Sequence, residues 1–157
     1  MKNVLITLLL GTAACTSPKS DPAPTPNPHS ISWQVDSQTI TVDHWVTGST
    51  NPGTTLTAYG REYVEGVIVS EVQFELPSTA GTYTLGTTST AWATYSKGGV
   101  KYLDGKAPGA SGLPGSGTLV LTTLANNQAS GTFTFTGIDP VTNSSKVISG
   151  GKFQVPI

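Results

Sequence analysis

From Ser30 to the C-terminus, apolar and polar side chains alternate with a period of two, and no window carries the 3.6-residue stripe of an amphipathic helix. Successive side chains of a strand point to opposite faces, so such alternation specifies a sheet with one face buried. Between Val64 and Leu76, for example, Ile68, Val72, Phe74 and Leu76 share one parity while Glu71, Gln73 and Glu75 share the other. Pro77 closes that run, because proline removes a ladder donor. Ile31–Val35 and Thr39–Asp43 flank Asp36-Ser37 and read as a hairpin, as do Ala91–Tyr95 and Val100–Leu103 around Ser96-Lys97-Gly98-Gly99. Further runs at Thr54–Tyr59, Gly81–Gly86, Thr118–Leu124, Gly131–Thr136 and Val147–Ile157 are separated by turn residues at Asn51-Pro52-Gly53, Asn126-Asn127 and Asp139-Pro140. The pattern predicts an all-β fold, an antiparallel two-sheet β-sandwich of about nine or ten short strands. Its expected core is Trp33, Val35, Ile40, Val42, Ile68, Val72, Phe74, Leu76, Tyr83, Leu85, Leu119, Leu121, Phe133, Phe135, Phe153 and Val155.

The charge balance narrows the function. Eight Lys and Arg stand against nine Asp and Glu, so no positive excess exists to neutralise phosphates, and nucleic acid is not an expected partner. Threonine and serine supply 41 of the 157 residues, which makes the surface polar without much charge. One cysteine and two histidines exclude a disulfide framework and argue against a cysteine/histidine zinc site.

The N-terminus reads as an address. Lys2, the apolar Val4–Leu10 and the small Gly11–Ala14 precede the single cysteine, Cys15, and the apolar run is far below the ~18 residues of a membrane span. Residues 1–14 are accordingly expected to be a signal peptide, with Cys15 as a lipid-attachment residue that holds the protein to a membrane. Thr12 stands three residues before Cys15, where lipoprotein signals usually carry Leu, and Thr12-Ala13-Ala14 also suits ordinary secretory cleavage at the same bond. Five prolines between Thr16 and Pro28 forbid helix and sheet. Residues 15–29 thus form an expected Pro-rich tether, long enough at about 3 Å per residue to hold residues 30–157 roughly 40 Å from an anchor.

Several segments recur together in one order: Trp33-x-Val35-Asp36, Gly81-Thr82-Tyr83, Ser116–Leu121, Gly131–Phe135 and the closing Gly151-Lys152-Phe153-Gln154-Val155-Pro156-Ile157. This order resembles a group of small, functionally uncharacterised β-sandwich lipoproteins of Bacteroidota. The resemblance spans Ser30 to Ile157, with Ser37 where the group usually has glycine after the turn aspartate. It implies a β-sandwich at the bacterial cell envelope, at the outer membrane, facing either periplasm or surface. It brings no catalytic residues with it.

The residues themselves offer few sets for chemistry. Glu71 and Glu75 share a strand face but lie four residues apart, about 13 Å, too far for a glycosidase pair, with Gln73 between them. Asp43 and His44 would point to opposite faces of a strand. Asp139 and Asn143 fall short of a calcium loop, and no Gly-x-Ser-x-Gly elbow occurs. The long Gly/Pro/Ser-rich connection Lys106–Gly117 reads as a flexible loop. Aromatic rings are the better candidates: Trp45, whose parity opposes Ile40, Val42 and Val46, and Trp92 and Tyr95, which fall on opposite faces of one strand so that one of them is exposed. The sequence therefore predicts a non-enzymatic, lipid-tethered binding or interaction module. Trp45, Trp92 and Tyr95 are its candidate ligand-binding residues, a glycan or an envelope protein its partner, and no cofactor, metal or catalytic residue is expected. The alternative is a carbohydrate-active hydrolase or glycan-binding accessory protein, which would bring two carboxylates together beside an exposed ring.

Overall fold

The computed structural model describes residues 29–44, 46–51, 54–110 and 113–157. The expected signal peptide, Cys15, the tether up to residue 28 and Trp45 lie outside the described residues. Eleven antiparallel strands follow one another: β1 (Ser30–Val35), β2 (Gln38–Val42), β3 (Val46–Asn51), β4 (Thr55–Val64), β5 (Val67–Pro77), β6 (Gly81–Leu85), β7 (Trp92–Lys97), β8 (Val100–Leu103), β9 (Ser116–Ala125), β10 (Gln128–Ile138) and β11 (Ser145–Pro156). No helix occurs among the described residues. The all-β antiparallel expectation holds, with more strands than the nine or ten anticipated.

Hydrogen bonding orders the strands β2-β1-β11-β10-β8-β7-β5-β4-β3, with β9 and β6 added along β10. Most of that edge of β10 pairs with β9, from Gln128–Ala125 to Thr136–Ser116. The link to β8 is a single residue pair, Ile138–Leu103. Two layers result: β2-β1-β11-β10-β9-β6 and β8-β7-β5-β4-β3, hinged at that corner and folded face to face. On the far side β3 packs against β11, and β4 against β1 and β2. The layers meet so closely there that a Cβ on Gly48 would lie 2.4 Å from the Pro156 carbonyl oxygen.

The core lies between the layers. Phe74 of one meets Phe133 and Phe153 of the other at ring-centroid distances of 5.3 and 4.9 Å. Trp33, Leu56, Leu76, Leu119, Leu121 and Ile148 are wholly or almost wholly enclosed. Two expectations need correction. Tyr83 is half-buried at the margin of the core, its hydroxyl donating to the Thr79 carbonyl at 2.5 Å. Ile68 is 43% exposed, because β5 carries a bulge at Val69 (Glu62 pairs with Ser70, but Tyr63 with Ile68) and the hairpin then runs past the end of the core.

Turn chemistry explains the hairpins. Asp36 and Ser37 join β1 to β2 with φ of 50° and 64°, and Asn126 and Asn127 join β9 to β10 with 54° and 58°. Glu65-Gly66 and Gly98-Gly99 do the same for β4–β5 and β7–β8. Positive φ at both central residues is what a type I′ turn requires, and its twist matches that of the flanking strands. Ser37 keeps this geometry without the glycine that makes it cheapest, and the Asp36 carboxylate is held by the Lys146 ammonium at 2.6 and 2.7 Å. Short connections of this kind leave β4–β5 as two strands where the sequence suggested one run from Val64.

The tips at 36–37, 65–66, 98–99 and 139–144 gather at one end of the domain. The chain enters at the other, where His29 contacts Gln128 at 3.1 Å and the Ile157 amide donates to the Asn127 carbonyl. His29, expected in the tether, thus belongs to the folded body.

Candidate functional site: a groove beside Trp92

The outward faces of β4, β5, β7 and β8 form three cross-strand rows. Register pairs Thr57 with Glu75 and Trp92, Tyr59 with Gln73, Thr94 and Leu103, and Arg61 with Glu71, Ser96 and Lys101. Alternation along each strand keeps all of them on one side. Along the edge of this face runs the connection after β8, which is folded. Amides of Ala107, Ala110 and Leu113 donate to the carbonyls of Asp104, Ala107 and Ala110 at 2.8–2.9 Å, a chain of successive turns. Leu103, Ala107 and Ala110 are buried beneath it with Trp92 and Leu113 packed alongside, a second small core. The expectation of a loose Lys106–Gly117 loop is corrected over the described residues; Ser111 and Gly112 lie outside them.

Sheet and connection together enclose a groove of about 180 Å³, lined by Glu71, Gln73, Trp92, Thr94, Ser96, Lys101, Leu103 and Pro108. Trp92, half-buried, is on this outer face as the parity argument allowed. Tyr95 is not: it is fully enclosed between the layers, its ring stacked on Tyr102 at 6.0 Å, so it is removed as a ligand-binding residue. Burial pushes the Tyr95 phenol above its usual pKa, and the nearby Ser70 hydroxyl offsets this only in part. Of the two β4 tyrosines of this parity, Tyr59 carries the Arg61 guanidinium 4.4 Å above its centre, and Tyr63 lines a separate groove with Arg61. Trp92 is the aromatic ring that lines this groove.

The carboxylates do not converge. Glu71 pairs with the Arg61 guanidinium, which raises the arginine's pKa. Glu75 accepts from the Thr57 hydroxyl at 3.0 Å. Asp43 and His44, expected on opposite faces of a strand, follow β2 in a bend and pair with each other at 2.8 Å, both well exposed. They border a separate groove of about 220 Å³ with Thr41, Val42, Arg61, Glu62 and Tyr63. Asp139 organises its own turn, accepting from the Val141 amide at 2.9 Å and the Thr142 hydroxyl at 2.5 Å. These bonds hold its pKa below the ordinary carboxylate value, the Thr142 bond contributing most. The Asn143 amide closes this turn on the Asp139 carbonyl at 2.9 Å, and no group of three metal-ligating side chains occurs among the described residues.

Asp104 was not singled out by the sequence. It is fully buried at the end of β8, and its two oxygens lack a hydrogen bond of good geometry. Burial raises its pKa above the ordinary 3.8, although the amides of Gly105, Ala93 and Lys106 pull the other way. A carboxyl whose folded pKa is raised stabilises the fold below its unfolded pKa, and that contribution is lost as pH rises through the folded value. Asp104→Asn should therefore melt at a higher temperature than the parent at pH 7. The difference should shrink as pH approaches 3.8; a variant that is less stable at neutral pH would show that the anion is needed.

Fold and groove define a class: a two-layer antiparallel β domain with a mixed aromatic and polar groove on the outside of one layer. The chain belongs to the family described as domain of unknown function DUF6252, whose model matches residues 36–156. No curated protein and no solved structure is detectably similar to it.

The sequence missed Thr94, Ser96 and Lys101 as companions of Trp92. Trp92, Thr94 and Ser96 share a parity, so their common face was legible. Lys101, Leu103 and Pro108 reach the groove only through the pairing of β7 with β8 and the folding of the connection that follows.

Proposed function

We propose that this chain is a non-enzymatic binding module of the bacterial cell envelope, anchored at the outer membrane by lipid on Cys15 and presenting the groove beside Trp92 to its ligand. The observation that carries this reading is the groove itself: a half-buried indole beside amide and hydroxyl groups and Lys101, with Glu71 as its one carboxylate and that carboxylate committed to Arg61. A glycosidase needs a second acid within about 5–10 Å of the first. Glu75 sits four residues further along β5, at a spacing of about 13 Å.

The anchor rests on Lys2, the short apolar run and Cys15 after small residues. His29, which follows the expected tether, lies beside Gln128, at the end of the domain opposite the turns at 36–37, 65–66 and 98–99. The family resemblance to lipoproteins of Bacteroidota fits the same placement.

Two measurements test the proposal on the full-length protein made in a bacterial host. Intact mass should show a mature chain that begins at Cys15 and carries acyl groups, and Cys15→Ser should remove them. An unmodified Cys15 terminus would end the tethered reading. A panel of glycosides and esters should show no turnover; turnover abolished by Glu71→Gln would replace the binding module with a hydrolase.

A further inference from the structure

We infer that the groove beside Trp92 binds one pyranose ring of a neutral polysaccharide. This rests on the binding-module reading above and gives that site its ligand chemistry.

The size of the groove comes first. At about 180 Å³ it is smaller than the roughly 300–1,000 Å³ of pockets that engulf a whole drug-sized ligand. It therefore holds one ring-sized unit while the rest of a longer molecule stays in solvent. Beyond the groove, the cross-strand rows continue on the same face of the sheet to Tyr59 and Thr57. A chain of repeating rings can lie along such a face, and an isolated metabolite would gain little there.

The lining has two kinds of surface. Trp92, Leu103 and Pro108 are apolar, and Leu103 is buried beneath the connection so that this side is firm. Gln73, Thr94 and Ser96 present amide and hydroxyl groups along two paired strands. Neighbouring strands lie about 4.8 Å apart and same-face residues about 6.6 Å apart along a strand, so these groups form a grid on the scale of a single sugar ring. A pyranose has the matching duality: a C–H face that stacks on an aromatic ring and a rim of hydroxyls that both donate and accept. Amide and hydroxyl side chains both donate and accept as well, so either hydroxyl orientation can be met.

Charge decides against the other ligand classes. The two ionised groups of the lining, Glu71 and Lys101, are opposite in sign, and Arg61 already holds Glu71. An acidic polymer carries a carboxylate on every ring and would find a single ammonium in the lining, Lys101. A peptide strand would seek the unpaired backbone of a sheet edge, whereas Gln73, Trp92, Thr94 and Ser96 stand on β5 and β7, which have hydrogen-bonded neighbours on both sides. Uncharged, hydroxyl-rich rings are what remains.

The test uses the full-length protein in detergent. Soluble neutral polysaccharides (glucan, mannan, xylan and galactan) are titrated by calorimetry and by tryptophan fluorescence, with polygalacturonate and a proline-rich peptide as contrasting probes. At least one neutral polysaccharide should bind, with affinity about tenfold lower in Trp92→Ala and largely retained in Trp92→Phe, which keeps a flat ring. Because Trp92 also packs against the cluster of Leu103, Ala107 and Ala110, Thr94→Ala and Gln73→Ala serve as variants outside that small core. Each should weaken binding severalfold with an unchanged melting temperature. Binding of polygalacturonate or peptide alone, or neutral binding indifferent to Trp92, Thr94 and Gln73, overturns the inference while leaving a binding module in place. Failure of every probe overturns it too, and the acyl-chain and turnover measurements then judge the broader reading separately.

Discussion

Phe74→Ala should cost about 3–5 kcal/mol of folding free energy, the range for truncating a large buried aromatic. Phe74 is fully enclosed, and its two register neighbours in the same layer, Ala58 and Ala93, are also buried. Small residues on both sides mean that one ring fills the space above three strands and makes the contacts with Phe133 and Phe153 opposite. In the variant that row becomes three consecutive alanines, and rigid backbones on both layers keep the walls from collapsing into the gap. Typical domains have about 5–15 kcal/mol in total, so a fifth or more of the stability is at stake. At roughly 3–5 °C per kcal/mol for a domain of this length, the melting temperature should fall on the order of 10–20 °C. Phe74→Leu, which refills most of the volume, should recover more than half of that loss. A melting temperature within 3 °C of the parent for Phe74→Ala would mean that the layers are held chiefly at their rims.

Gly131→Ala should be nearly as damaging through the opposite error, overfilling. A Cβ at Gly131 would sit 1.8 Å from the Val120 carbonyl oxygen and 2.7 Å from the Phe153 ring, which lies over this glycine from the paired position on β11. A ring can tilt, but a carbonyl within a paired strand cannot turn away without breaking its ladder. The expected loss is at or above the top of the 1–3 kcal/mol usual for overpacking. Its location is as informative as its size. Next to Gly131 the β9–β10 pairing already slips around Thr122, from Ser130–Thr123 to Gly131–Leu121. Among the described residues, β6 is bonded to the sheet through β9 alone. Hydrogen exchange should therefore accelerate first in β9 and β6, while β4 and β5 stay protected. Uniform acceleration across the domain would show that β9 and β6 do not open as a separate unit. Phe153 also touches Phe74, so the two substitutions share a neighbour and their combined cost should differ from the sum.

Much of this architecture was legible in advance because a strand reports its buried face through every second residue. Phe133 and Phe135, Phe153 and Val155, Leu119 and Leu121 all face inward as their parity required. The errors have local causes. Ile68 kept the right parity but lies beyond a bulge at Val69, and a one-residue bulge leaves no mark in an alternation count. Tyr95 lies deep in the core although its phenol carries a hydroxyl, so its amphipathic ring gave no clue to which side it would take. The alanines of the core, Ala58, Ala91, Ala93 and Ala129, were unreadable because alanine suits either face.

The sequence by itself determined that this protein would be built of antiparallel strands joined by tight turns: alternation and turn residues act within a few positions and need no distant partner. Only the tertiary structure decided that two layers hinge at Ile138–Leu103, that Asp104 is enclosed, and that Trp92 comes to lie beside Thr94, Gln73 and Lys101. Those outcomes depend on which strands pair and how a glycine-rich connection packs, and such choices are made by contacts between residues far apart in the chain.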